Sequence, residues 1–124
     1  MGNWLRKIEH VGIFVSDLDR SIAFYQDVLG LELKDVVDTG RGRIAFMQIG
    51  ESQLELICNP PTEPRPAGVV DYVTFTVTDI DAVYKRLKEF DVELIDEAPK
   101  PVFGTAKILF FYGPDKERLE LFQH

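Results

Sequence analysis

Polar and apolar residues alternate from Lys7 to Ser16. Val11, Ile13 and Val15 fall on one side and His10, Gly12 and Phe14 on the other, the period of a β-strand. Ser16 and Asp17 then suit a helix N-cap, and Asp17 and Asp19 suit the positive end of a helix. Leu18, Ile22, Tyr25 and Leu29 recur at helical spacing with Val28 beside them, and Gly30 is placed to stop the helix in a left-handed conformation. A strand is expected near 31–37, a loop at Thr39–Gly42, and two strands at Arg43–Ile49 and Gln53–Cys58 joined by a short hairpin. In the last of these, Gln53, Glu55 and Ile57 share one face, and Leu54, Leu56 and Cys58 the other, so Cys58 reads as core.

The same order then returns. From Asp71 the chain repeats at a constant offset of 62 residues, which sets His10 on Tyr72, Asp17 on Asp79 and Asp19 on Asp81. Val73, Phe75 and Val77 alternate with Tyr72, Thr74 and Thr76. Thr78 or Asp79 caps a helix with Ile80, Val83, Tyr84 and Leu87 on its buried side. A strand is expected near 91–95, a loop with two prolines over 96–104, and a closing hairpin of Lys107–Tyr112 and Arg118–Gln123. Ile44-Ala45-Phe46 answers Ile108-Leu109-Phe110, and Glu55 answers Glu120, with the second turn one residue longer. Between the copies, residues 59–68 hold four prolines and read as a stiff extended connector. One supersecondary unit built twice is the economical account. It makes residues 1–124 a single α+β domain: module one over 7–58, a linker over 59–68 and module two over 70–123.

Composition narrows the function. The 45% apolar content supports a packed core, and the net charge of −7 with no basic cluster argues against nucleic acid and against anionic membrane surfaces. A single cysteine fits a reducing cytoplasm. No apolar run approaches the roughly 20 residues of a membrane-spanning helix, and the first ten residues lack the apolar core of a signal peptide.

The chemistry-bearing residues emerge from the repeat. His10, Tyr72, Glu55 and Glu120 form two symmetry-related pairs on the strand faces that point away from the helices. A lone strand histidine is commonly structural, and a glutamate between leucines commonly faces solvent. Two glutamates at equivalent places, with an imidazole at the start of the same unit, instead make a donor set for a divalent metal of borderline softness. Arg41, Arg43 and Lys107 read as solvated surface, and His124 as a frayed terminus.

The run HVGIFVSDLDRSIAFYQDVLGLEL resembles the opening motif of the vicinal oxygen chelate superfamily, and FFYGPDKERLELFQ its final hairpin. That superfamily includes glyoxalase I, methylmalonyl-CoA epimerase, extradiol dioxygenases, fosfomycin-resistance proteins and bleomycin-binding proteins. The resemblance spans Ile8 to Gln123. It implies two tandem βαβββ modules forming a curved mixed sheet with helices on its outer face, commonly in a homodimer, with a metal in the trough. The modules can pair within one chain or across the dimer. Carried over by position, the metal ligands are His10, Glu55 and Glu120. Tyr72 stands where metal-binding members usually have His, and a phenol is a weak ligand at neutral pH.

Extradiol dioxygenases need two His and a carboxylate around iron, and the second His is missing here. Fosfomycin-type transferases fall by the same comparison. The resemblance then implies a lyase or isomerase of glyoxalase I type, lactoylglutathione lyase-like, acting on a thiol adduct of a 2-oxoaldehyde. A zinc, nickel, manganese or cobalt ion would hold an enediolate while Glu120 moves the proton next to the carbonyl. Two alternatives share the trough. One is a metal-free small-molecule-binding protein of bleomycin-resistance kind, lined by Phe14, Phe46, Tyr72, Phe110 and Tyr112; the other is a thioester epimerase.

Overall fold

A computed structural model describes residues 7–60, 68 and 70–124. Most of the proline-rich connector and the first six residues of the N-terminal segment lie outside the described residues. The chain divides into two compact units, residues 1–64 and 65–124.

In the first unit β1 (His10–Phe14) leads into α1 (Leu18–Ala23), followed by β2 (Glu32–Asp38), β3 (Arg43–Ile49) and β4 (Ser52–Cys58). The sheet order is β1-β4-β3-β2, with β1 parallel to β4 and the other neighbours antiparallel. The Asp17 carboxylate accepts from Arg20 N and caps α1, a contact of about 1 kcal/mol in most hosts. The helical segment changes pitch midway. Phe24–Val28 is a π-helical turn, and Gly30 at φ +79° ends it. Leu18, Ser21, Tyr25 and Val28 are buried, while Ile22 and Leu29, expected on the buried stripe, are half-buried. Against them lie Ala45 and Met47 of β3 and Leu54 and Leu56 of β4. Cys58 is only half-buried, with Sγ 3.8 Å from the Ser16 carbonyl, so it borders the core and does not fill it.

The second unit repeats this plan with β5 (Val73–Thr76), α2 (Ile80–Glu89), β6 (Lys100–Val102), β7 (Ala106–Tyr112) and β8 (Arg118–Gln123) in the order β5-β8-β7-β6. Asp79, not Thr78, is the N-cap, accepting from Ala82 N. Ile80 and Leu87 pack with Phe75, Leu109, Phe111, Leu119 and Leu121.

The strand expected near 91–95 does not form. Asp91 adopts φ +54° at the end of α2, and the following segment meets β7 at an isolated Leu94–Phe111 bridge, flanked by backbone hydrogen bonds from Tyr112 N to Glu93 O and from Ile95 N to Phe110 O. The Asp96 carboxylate then accepts from Phe110 N, and the chain leaves the sheet. It returns as β6, inside the stretch expected to be loop, pairing Lys100–Val102 with Ala106–Ile108. Pro101 is tolerated there because β6 is an edge strand. Among the described residues no helix is long and apolar enough to cross a membrane.

Candidate functional site

In each unit the first strand runs parallel to the last, so side chains three strands apart in sequence become neighbours. Gly12 pairs with Glu55 and Thr74 with Glu120, while β3 sets Phe46 opposite Glu55 and β7 sets Phe110 opposite Glu120. The two glutamates therefore occupy the same register position of the repeated sheet, on the face that α1 or α2 does not cover.

Their partners differ. In the first unit His10 Nε2 lies 2.8 Å from Glu55 Oε2. The imidazole is 44% exposed and the glutamate side chain 15%, so the pair is anchored on the sheet yet open on one side. Gly12, directly opposite Glu55, carries no side chain on this face, and a Cβ there would stand 3.1 Å from Ile57 Cδ1. In the second unit Glu120 is buried, and its Oε1 accepts a hydrogen bond of 2.6 Å from the Thr74 hydroxyl. A buried carboxylate is costly without such a donor. Tyr72, at the position equivalent to His10, turns to Phe110 instead; their rings meet edge to face at 5.0 Å.

The remaining sites expected from the sequence fall as follows. Phe14 is exposed on the His10 face of β1, and Phe46 and Phe110 are half-buried beside the two glutamates. Tyr112 is half-buried with the Lys116 ammonium 5.2 Å above its ring. Arg43 and Lys107 pair with Asp19 and Asp81, each at 3.7 Å, and solvent weakens such exposed pairs. The His124 ring, expected to be frayed, lies 4.8 Å from that of Phe122.

The resemblance implies a divalent metal, and the donor chemistry of the first unit suits one. An imidazole nitrogen and a carboxylate oxygen already converge there, and both are ligands that zinc, nickel, manganese and cobalt accept. Glu120 Oε2 has no hydrogen-bond partner among the described residues. Among the described residues no three His, Cys, Asp or Glu side chains gather around one point; within the first unit His10 meets Glu55, and within the second Thr74 meets Glu120.

Sequence reasoning passed over Thr74 and Gly12. The repeat placed Gly12 and Thr74 at equivalent positions, but the register that sets residue 74 opposite 120 and residue 12 opposite 55 is given only by the strand pairing. It also passed over the Arg118–Asp71 ion pair of 2.7 Å, two residues from Glu120.

Known proteins match along nearly the whole chain. The lactoylglutathione lyase of Neisseria meningitidis is 31% identical, covering 94% of this chain and 90% of that one. The uncharacterised protein YwbC of Bacillus subtilis is 32% identical over 95% of this chain and 98% of its own length. A glyoxalase I variant from Zea mays superposes with a TM-score of 0.85 at 25% identity, over 95% of this chain and 44% of that one. The sequence pattern of the Glyoxalase/Bleomycin resistance protein/Dioxygenase superfamily matches residues 7–121, and this chain belongs to that superfamily.

Proposed function

We propose that this protein is a metal-dependent lyase or isomerase of glyoxalase I type, acting on the thiol adduct of a 2-oxoaldehyde. The observation that carries the reading is the 2.8 Å approach of His10 Nε2 to Glu55 Oε2 on an open sheet face. The similarity to a lactoylglutathione lyase supports the substrate class.

In this reading His10 and Glu55 are the fixed ligands, and Glu120 is the third. A bound divalent ion supplies Lewis-acid polarisation of the substrate carbonyl. Glu120 accepts the proton from the carbon next to that carbonyl and returns it to the adjacent carbon. Phe14, Phe46, Phe110 and Tyr112 exclude water from the reacting atoms. The substrate is a small molecule, and the working form is a cytoplasmic homodimer.

A second reading rests on Tyr72. Its ring packs edge-on against Phe110, as in an aromatic wall that holds a small molecule without a metal. Epimerisation next to a thioester uses the same proton transfer and differs in substrate only.

Metal content and turnover separate these readings. The purified protein, refolded with zinc, nickel, manganese or cobalt, is expected to hold close to one metal per site and to isomerise the hemithioacetal of methylglyoxal and glutathione. Glu120→Gln is expected to abolish turnover. A metal-to-chain ratio near zero after every refolding removes the enzyme reading.

A further inference from the structure

Gly12 and Thr74 hold the same place in the two copies, each opposite the glutamate of its last strand. At Gly12 nothing competes for the carboxylate, and Glu55 meets His10. At Thr74 a hydroxyl donates to Glu120 Oε1 at 2.6 Å, the short separation of a hydrogen bond to an ionised acceptor. The two oxygens of Glu120 are therefore inequivalent. Oε1 is held, while Oε2 has no partner among the described residues. Tyr72, two residues along the same strand face, does not compete, since its ring is committed to Phe110.

We propose that Thr74 is a positioning residue for proton transfer by Glu120. The hydroxyl holds Oε1 and presents Oε2 to the substrate. This deepens the proposed function and rests on it. The C–H bond next to the carbonyl breaks, its proton passes to Oε2, and its electron pair moves toward the carbonyl oxygen. The same proton then bonds to the former carbonyl carbon, while the hydroxyl proton of the thiol-bearing carbon passes to the former carbonyl oxygen and that hydroxyl becomes the new carbonyl, so product and substrate are isomers and no oxidant or reductant is consumed. A carboxylate held at one oxygen delivers its proton along one direction. Released from Thr74, it rotates, presents either oxygen, and exchanges its proton with water more often.

The test compares wild type, Thr74→Val, Thr74→Ser and Glu120→Gln on the hemithioacetal of methylglyoxal and glutathione in deuterated water. Thr74→Val, which keeps the shape of an exposed β-branched residue, is expected to lower kcat by about tenfold or more with KM nearly unchanged, the size of effect a lost hydrogen bond to a charged group gives. It is also expected to raise deuterium incorporation into product. Thr74→Ser restores both. In the metal-free protein the 13C resonance of the Glu120 carboxyl shifts in Thr74→Val and returns in Thr74→Ser. Wild-type turnover that Glu120→Gln abolishes and Thr74→Val leaves intact overturns the role of Thr74 alone, as does an unmoved Glu120 resonance. A wild type inactive with every metal, or an active Glu120→Gln, overturns the proposed function and this role with it.

Discussion

His10 Nε2 and Glu55 Oε2 stand 2.8 Å apart on neighbouring parallel strands, although 45 residues of chain separate them. The contact exists because β4 returns beside β1; Gly12, which carries no side chain, stands directly opposite Glu55. The second copy has the same backbone register but puts Thr74 in that place, and the equivalent glutamate bonds there instead. Two differences between the copies, His10 against Tyr72 and Gly12 against Thr74, thus accompany the different partners of the two carboxylates. The first copy carries the nitrogen–oxygen pair, and the second carries a carboxylate tethered at one oxygen.

If this pair holds a metal, removing either donor lowers metal affinity while sparing the fold. His10→Ala and Glu55→Gln are each expected to weaken zinc or nickel binding by about tenfold or more. The imidazole is nearly half exposed and fills no core position, so the unfolding midpoint of the metal-free protein is expected to stay close to wild type. Isothermal titration and chemical denaturation read the two quantities. Equal affinity in all three proteins would remove the pair from the metal site.

Tyr72→His adds an imidazole at the position equivalent to His10. Metal content, measured by elemental analysis, is expected to rise. The edge-to-face contact with Phe110 is lost, at a cost of about 0.5–1.5 kcal/mol. Isomerase activity gained only in this variant would mean that the natural chain does not carry out the reaction, and would favour the metal-free binding reading.

Gly12→Thr installs in the first copy the hydroxyl that the second copy has. The new Cβ meets Ile57 Cδ1 at 3.1 Å, the far end of a flexible side chain that can give way. The added hydroxyl is expected to take up the Glu55 carboxylate and draw it from His10. Metal affinity falls while circular dichroism stays unchanged. An unaltered affinity would show that the empty place at Gly12 has no part in forming the pair.

Gly42→Ala tests a close approach elsewhere. A Cβ at residue 42 would stand 2.1 Å from the Cys58 carbonyl oxygen, which is backbone and cannot swing aside. The loop and the end of β4 must separate, at about 1–3 kcal/mol. Urea denaturation checks this, and a midpoint equal to wild type contradicts the contact.

Sequence alone determined the duplication, where both helices begin, the closing hairpins, and the face on which His10, Tyr72, Glu55 and Glu120 lie. These follow from periodicity and local capping, which depend on neighbours a few residues away. Tertiary structure decided the rest. The second strand of the later copy appeared at Lys100–Val102, after an isolated bridge at Leu94, with the Asp96 carboxylate taking the Phe110 amide between them. The buried stripe runs through Leu18, Ser21, Tyr25 and Val28, with the small polar Ser21 on it and Ile22 and Leu29 at its margin. Above all, alternation tells which face a residue occupies but not which residue stands across from it. Only the pairing of distant strands set Thr74 against Glu120 and left Gly12 open beside Glu55.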